Sequence, residues 1–209
     1  MAAGEKITEI MHAFLKGIRR EHFTFAEFIK GLEERSFGLL LLILAIPNAC
    51  LIASIPGVSI LFGVLLIFVS MQMLLKRQKA WFPKAIANQR LSKKHLEIAL
   101  NIFSPYLAKI ERILKPRLTL LTSAFLERFL GVVCLMHGIL IALPIPLGNF
   151  LCGIALVFLA LGVLARDGLF MLFGYVISVG IFTFFAASFN VAFLLVQKIV
   201  YNLCALLLQ

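Results

Sequence analysis

Charge is scarce in this chain of 209 residues, and acidic charge is the scarcest. Charged residues make up 14% of the sequence, where a soluble domain has about 25%. Hydrophobic residues reach 62%, which is more apolar surface than a soluble fold of this length can bury. The composition therefore excludes a soluble globular protein, a disordered chain and a collagen-like chain. It predicts an integral membrane protein.

Cysteine is sparse too, and its spacing excludes two further classes. The four cysteines lie in apolar runs and show neither CxxC nor Cys/His spacing: Cys50, Cys134, Cys152 and Cys204. Because buried cysteine usually behaves as a small hydrophobic residue, we predict neither a disulfide framework nor a metal site. The sequence also lacks a Ser/His/Asp set, a nucleotide-binding loop and a catalytic carboxylate pair. We therefore expect no cofactor and no enzymatic activity.

The net charge of +10 is concentrated in residues 76–128, which carry twelve Lys and Arg against three Glu. Positive charge beside membrane segments tends to stay in the cytoplasm, so this segment is predicted to be a basic cytoplasmic linker. Within it, residues 92–103 and 105–114 have the periodicity of amphipathic helices. A basic block can also bind nucleic acid, but we interpret it as a topology signal that contacts anionic lipid. Membrane lipid is thus a predicted partner, and nucleic acid is not.

Residues 1–35 are balanced in charge and are predicted to form amphipathic helices on the membrane surface. Residues 7–18 place their apolar side chains on one helical face. A second helix is predicted over about 25–34, because Thr24 and Glu27 have the spacing of a capping box.

Two long uncharged runs, residues 36–75 and 129–165, are interrupted by residues that break helices. The predicted structural breaks are Pro47, Pro56, Gly57, Pro144, Pro146 and Gly148. Each run is too long for one membrane helix of about twenty residues, and its limbs are short for a full crossing. We therefore predict two helical hairpins, the first with limbs over about 36–46 and 58–75. Residues 166–209 are predicted to add two membrane helices, over about 168–190 and 191–209. The predicted fold is an all-α polytopic membrane protein.

The two uncharged runs also match each other, at an offset of 90 residues after the breaks and 93 before them. The matched pairs are Ile55-Pro56 with Ile145-Pro146, Gly63 with Gly153, Glu34-Arg35 with Glu127-Arg128, and Gly38 with Gly131. This pattern predicts an internal duplication. Paired, interrupted hydrophobic segments in two halves of a chain are a sequence signal for a transporter-like substrate site.

The physical reason lies in the backbone. Peptide groups freed at a break cannot face lipid, so they must line a cavity enclosed by protein or filled with water. Helix N-termini at such a place carry partial positive charge and free N–H donors, which suit an anion such as phosphate.

Six motifs occur in order along the chain: residues 33–39, 46–48, 55–59, 110–117, 144–149 and 166–168, with the sequences EERSFGL, IPN, IPGVS, IERILKPR, PIPLGN and RDG. Together they resemble the ExoD-type exopolysaccharide synthesis proteins of bacteria, over about residues 28–189. The resemblance implies a bacterial inner-membrane protein associated with exopolysaccharide production, and it brings no catalytic residue set.

The candidate substrate-binding residues form two groups. Arg35 and Arg128 stand beside Glu34 and Glu127 where each run begins, and a guanidinium group matches phosphate geometry in a bidentate manner. The alternative is an interfacial Glu-Arg pair that ends a helix and anchors its depth. The second group comprises the polar side chains near the breaks: Asn48, Ser54, Ser59 and Asn149. These side chains either contact the substrate or cap the broken helices.

Three further polar residues have two interpretations each. Arg166 and Asp167 form either a turn in which Asp167 caps the next helix or a charge pair inside the membrane. His137 lies in an apolar segment, and it is either a hydrogen-bonded packing residue or part of a proton relay.

Two functional hypotheses follow. In the first, the breaks form a polar cavity that binds or moves an anionic exopolysaccharide precursor or a polyprenyl-phosphate carrier. In the second, the protein is a non-transporting scaffold that organises polysaccharide assembly proteins. We expect a multi-pass protein of the bacterial inner membrane, and a homodimer because its short limbs expose small-residue faces.

Overall fold

The computed structural model describes residues 13, 15–17, 20–24, 26–27, 36–50, 57–75, 81–82, 84–94, 96–98, 101, 124–143 and 148–207. The elements of this part of the chain are β1 (His22–Thr24), α1 (Ser36–Ala49), α2 (Val58–Leu74), α3 (Lys84–Ala87), β2 (Arg90–Ser92), α4 (Ala124–Ala142), α5 (Gly148–Ala165) and α6 (Gly168–Leu207). The protein is mostly helical, as predicted. Two stretches, residues 148–165 and 168–200, are long and apolar enough to cross a membrane.

The outer faces of the helices are apolar, which agrees with a membrane environment. On α4, the exposed large side chains recur at helical spacing: Phe129, Val132, Met136 and Ile139. On α2 they are Ile60, Leu61, Val64 and Met71. Soluble monomers rarely expose continuous apolar surfaces of this extent, so lipid is the natural neighbour of these faces.

Helix α1 continues through Pro47 and ends at Ala49, three residues later than predicted. Proline has a backbone φ compatible with a helix and removes one hydrogen bond, to the carbonyl four residues earlier. The neighbouring bonds are retained, since the Cys50 N–H donates to the Ile46 carbonyl at 3.0 Å. The prediction that Pro47 breaks the helix is therefore wrong.

The second helix of each run begins close to a glycine. Gly57 precedes α2 with a φ of 94°, a left-handed conformation that glycine adopts without strain. Gly148 is the first residue of α5, so Gly148 and Asn149 lie in a helical turn rather than in the break. Pro56, Pro144 and Pro146 lie outside the described residues.

Residues 168–207 form one helix of 40 residues, where the sequence predicts two. No proline or glycine follows Gly180 in this segment, so nothing in the sequence ends the helix. At 1.5 Å per residue, α6 is about 60 Å long, roughly twice the thickness of a bilayer core. From Ala186 to Val200 every side chain is exposed.

The helices of the first run pack against those of the second. Helix α1 lies mainly against α5, and α2 lies mainly against α4. At Gly153 of α5, a Cβ atom would collide with the backbone of Ala49 in α1. At Gly63 of α2, a Cβ atom would lie 2.6 Å from the backbone nitrogen of Ala142 in α4. Both helix pairs therefore touch backbone to backbone.

A second pair of close contacts lies at the far end of the same helices. Gly38 of α1 meets Leu164 of α5, and Gly131 of α4 meets Leu74 of α2; a Cβ atom at either glycine would lie 3.2 Å from the facing leucine. Adding 93 to the number of Gly38 gives Gly131, and subtracting 90 from that of Leu164 gives Leu74, so the two sequence offsets relate the first contact to the second. The same offsets convert the Ala49–Gly153 contact into the Ala142–Gly63 contact.

The direction of each helix follows from its contacts. The pairs Gly38–Leu164 and Ala49–Gly153 make α1 and α5 antiparallel, and the equivalent pairs make α2 and α4 antiparallel.

Helix α6 fixes the relation between these two antiparallel pairs. It packs antiparallel to α5, because Gly162 meets Met171 whereas Gly174 meets Leu159. It runs in the same direction as α4, because Phe129 contacts Tyr175 and His137 contacts Phe182. Consequently α1, α4 and α6 run one way, and α2 and α5 run the other way.

Both interruptions therefore lie at one end of the bundle. We call this the break end, and it contains Ala49, Val58, Ala142 and Gly148. The opposite end, where α1 and α4 begin and α2 and α5 finish, is called the entry end.

A short antiparallel ribbon joins the chain before α1 to the chain after α2. β1 pairs with β2 with Phe23 opposite Leu91, and the sequence does not predict this pairing because each strand has only three residues. Ser92, predicted to start a helix, ends β2 instead, and the described residues that follow in 93–101 are helical. Residues 105–114 lie outside the described residues, and α4 already begins at Ala124, within the predicted linker.

The predicted capping box is confirmed. The Thr24 N–H donates to Glu27 Oε2 at 2.9 Å, and the Glu27 N–H donates to Thr24 Oγ1 at 3.2 Å. Trp81, which follows α2, is held in a similarly local way, since its N–H donates to Gln72 Oε1 at 2.6 Å.

We predict that Gly153→Ala destabilises the protein by about 1–3 kcal/mol, because the added methyl group forces α1 and α5 apart. Gly180→Ala is the matched control. Gly180 has open space around it in α6, so alanine should be neutral or gain up to about 1 kcal/mol of helix propensity. Thermal unfolding of the detergent-purified variants measures both effects. Equal melting temperatures for the two variants would contradict the close backbone contact.

Candidate functional site

Asn48 is buried at the break end, in the last turn of α1. Its Nδ2 donates to the Leu44 carbonyl at 2.7 Å. A carbonyl oxygen can only accept, so this bond fixes the orientation of the amide. The Oδ1 atom is directed away from Leu44 and has no hydrogen-bond partner among the described residues. Asn48 therefore presents an unused acceptor at the contact between α1 and α5.

Ser59 and Asn149 occupy equivalent places on the two helices that begin at the break end. Each is the second residue of its helix, α2 or α5, and each is buried. The N–H groups in the first turn of a helix have no acceptor within that helix, and they carry partial positive charge. No side-chain hydrogen bond caps α2 at Gly57. These two helix starts therefore bring backbone donors to the break end.

The structure separates the arginine group from this set. Arg128 is exposed in the first turns of α4, about 21 Å along the helix from Ala142. It thus lies at the entry end, whereas Asn48, Ser59 and Asn149 lie at the break end. Glu34, Arg35 and Ser54 lie outside the described residues, as does the side chain of Glu127. Among the described residues, no set of contacts connects Arg128 with the polar side chains at the break end.

Arg166 and Asp167 form a tight turn between α5 and α6, as the first of the two interpretations predicts. Arg166 has a φ of 53°, and the Asp167 N–H donates to the Gly162 carbonyl at 2.8 Å. This is a Schellman-type helix end, here with arginine in the place usually taken by glycine. Asp167 then caps α6, because its Oδ1 accepts the Leu169 N–H at 3.0 Å.

His137 is fully buried between α4 and α6, where its Nε2 lies 2.8 Å from Ser178 Oγ. Ser178 has one hydroxyl proton and donates it to the Gly174 carbonyl at 2.7 Å. The serine oxygen must therefore accept, and His137 Nε2 must donate. The neutral Nδ1 is left as an acceptor without a partner among the described residues. The histidine is thus a hydrogen-bonded packing residue, and its ring also lies 4.7 Å from that of Phe182.

Several buried polar groups were not singled out from the sequence. Ser70 bonds back to the Leu66 carbonyl at 2.7 Å, which satisfies its hydroxyl proton within α2. Ser36 Oγ and Tyr175 Oη are buried and have no hydrogen-bond partner in the described part of the chain. Only the break residues, the charged residues and His137 carried a signal in the sequence, because an isolated Ser or Tyr in an apolar run is common in packed membrane helices.

The described residues contain no group of three or more His, Cys, Asp or Glu side chains that could hold a metal ion. What the break end offers instead is hydrogen bonding. Backbone N–H donors of two helix starts and one unused amide acceptor all lie at this end of the bundle, and the acceptor is beside the start of α5. Such a set can bind a polar ligand that carries both oxygen acceptors and hydroxyl donors.

These features define a helical membrane protein in which buried polar groups gather where two apolar runs are interrupted. The chain belongs to the ExoD family of exopolysaccharide synthesis proteins, whose family model matches residues 7–187. The resemblance found in the sequence motifs is thereby confirmed.

Two curated relatives are similar over most of the chain. Protein ExoD of Rhizobium meliloti (strain 1021) is 34% identical over 191 residues, which cover 90% of this chain and 79% of that protein. An uncharacterised protein of Synechocystis sp. is 29% identical over 172 residues, which cover 82% of this chain and 81% of that protein. No solved structure matches the chain.

We predict that His137 and Ser178 stabilise the α4–α6 contact through their hydrogen bond. Ser178→Ala and His137→Phe should each lower the stability. The double variant should lose less than the sum of the two, with a coupling of about 0.5–2 kcal/mol, the range for hydrogen bonds between membrane helices. Thermal unfolding of the three variants in detergent measures the cycle. Strictly additive losses would show that the bond contributes nothing.

Proposed function

We propose that this protein acts in bacterial exopolysaccharide synthesis as a transporter-like membrane protein without enzymatic activity. It binds or moves an anionic precursor or a polyprenyl-phosphate carrier at the break end of the bundle. Membership of the ExoD family supports the biological process. The observation that carries the molecular proposal is the burial of Asn48, Ser59 and Asn149 where the helices stop and start. Polar groups at such a depth are costly unless they serve a ligand or one another.

We also propose that the two helix pairs are repeats of one duplicated hairpin. Support comes from the reciprocal contacts, Gly38–Leu164 with Gly131–Leu74 and Ala49–Gly153 with Ala142–Gly63, which the sequence offsets interconvert. Two halves related in this way meet as the subunits of a symmetric dimer do, each offering the other the same surface. The contacts favour a parallel repeat, in which both hairpins enter the membrane from one side. Many transporters are built from repeats around a shared site.

In the proposed arrangement the protein crosses the inner membrane several times, with the basic segment 76–128 in the cytoplasm. The excess of positive charge in that segment supports this orientation. The entry end then faces the cytoplasm, where Arg128 stands at the level of lipid headgroups, and in this proposal the charges of Arg35 and Arg128 attract phosphate. A homodimer in contact with membrane lipid remains our expectation for the assembled state.

The alternative is a non-transporting scaffold that holds polysaccharide assembly proteins together. The second half of α6 favours it, since every side chain from Ala186 to Val200 is exposed and open to contact by a partner protein. The two functions differ in one respect that can be measured, because a scaffold does not move lipid across a bilayer.

We predict that replacing both Arg35 and Arg128 with Gln abolishes exopolysaccharide output while leaving the amount of protein in the membrane unchanged. Glutamine keeps the length of the side chain but removes the charge that attracts phosphate. Arg90→Gln, on an exposed strand residue of the same basic segment, is the control and should keep normal output. Polysaccharide is measured in cells that lack the native gene and express each variant.

The matching biochemical measurement uses the purified full-length protein in liposomes with a fluorescent polyprenyl phosphate. The transporter-like proposal expects faster movement of the probe between leaflets with the native protein than with the Arg35/Arg128 variant. No acceleration by the native protein, together with normal output from the double variant, would reject the proposal and leave the scaffold.

A further inference from the structure

We infer that the two halves of the protein share one ligand site at the break end, inside the membrane, and that its ligand is a phosphate group carried beside hydroxyl groups. This inference rests on the proposed function and specifies the chemistry and the location of its site. Three observations support it: the contacts between the halves, the hydrogen-bonding capacity of the break end, and the length of α6.

The site is shared because each helix end of one half lies against a helix of the other. The close contact of Ala49 with Gly153 sets the end of α1 beside the first turns of α5. The equivalent contact of Ala142 with Gly63 sets the end of α4 beside the first turns of α2. Asn48 of the first half is therefore a neighbour of the helix start of the second half that carries Asn149. A site built from one half alone does not fit this exchange, and both junctions lie at the same end of the bundle.

The available hydrogen bonds specify the ligand. The first turns of α2 and α5 provide N–H donors and partial positive charge, which favour the anionic oxygens of a phosphate. Asn48 Oδ1, in a residue that is 1% exposed, has no partner among the described residues and requires a donor. A phosphate in a diester linkage has no proton to offer it, so the donor must be a neighbouring hydroxyl group. A phosphorylated sugar or polyol headgroup offers both kinds of atom.

Helix α6 indicates the depth of the site. His137, five residues before the end of α4, contacts Ser178 and Phe182 of α6, so α4 ends near the level of residues 183–187. The apolar part of α6 continues from there to Val200, for about 20 Å more. Because α6 stays apolar beyond that level, and α4 extends only about 21 Å from Arg128 to Ala142 against a bilayer core of about 30 Å, we place the break end within the bilayer and short of its far surface.

We predict that Asn48→Leu lowers exopolysaccharide output roughly tenfold or more, the loss expected from one buried hydrogen bond to the ligand. The fold should tolerate the change, because leucine removes the unpartnered Oδ1 and loses only one side-chain bond within α1, to the Leu44 carbonyl. Asn190→Leu is the matched control. Asn190 makes the same bond, to the Ala186 carbonyl at 2.8 Å, but lies exposed on α6. Normal output from Asn48→Leu, at normal protein abundance, would overturn the proposed role of the acceptor.

The location is tested by measuring the membrane depth of spin labels on the full-length protein in vesicles of phosphatidylethanolamine and phosphatidylglycerol. With the other cysteines replaced, one label is attached at Cys50 or at Leu143→Cys, two exposed positions at the break end that the 93-residue offset relates. Leu75→Cys and Phe129→Cys, both exposed at the entry end, are the controls.

If the site is shared, we expect the two break-end labels to lie at equal depths, and both to lie deeper than the two entry-end labels. Unequal depths, or break-end labels as shallow as the controls, would overturn it. Movement of fluorescent polyprenyl phosphate in the same vesicles reports on the proposed function separately. If the labels lie at the expected depths but the protein moves no carrier, the proposed site geometry stands and the transport proposal is rejected.

Discussion

The contact of backbone with backbone at Gly63 and Gly153 is the constraint on which the rest of the structure depends. In lipid, apolar side chains gain little by leaving the solvent, so membrane helices associate through close packing of small residues. A Cβ atom at either glycine would collide with the facing helix, at Ala142 or Ala49. These contacts fix the register of both helix pairs. They also bring the two interruptions to one end, where the freed peptide groups can be shielded from lipid by protein.

Local signals in the sequence predicted local structure well. The capping box at Thr24 and Glu27 and the cap at Asp167 depend on spacings of two or three residues, and the structure has both. The limits of the apolar runs likewise placed the main helices, because a membrane helix needs an uncharged stretch. The offsets of 90 and 93 residues align glycines with one another, and these glycines are the positions at which the helices approach closely.

The errors arose where a residue's meaning depends on its position in a helix. Pro47 was predicted to break the helix. Near the end of α1, however, proline removes only one backbone hydrogen bond, and the helix continues to Ala49. The division of 168–207 into two spans assumed a length limit set by the bilayer, whereas the chain itself contains no residue that ends α6. The pairing of β1 with β2 joins segments about seventy residues apart. Three-residue strands carry no pattern from which such a pairing can be predicted.

The candidate site shows the same limit: the sequence identifies the polar residue types, whereas the packing of the helices determines which of them are buried. Serine and threonine in these helices donate to the carbonyl four residues back, as Ser70 and Thr183 do, and their protons are then satisfied. Asparagine makes that bond and still has an acceptor left over. On α6 the second atom of Asn190 lies on an exposed face, whereas at Asn48 the fold encloses it. An enclosed acceptor weakens the packed state unless a donor arrives. The position of Asn48 beside the start of α5 is therefore better explained by a ligand than by stability.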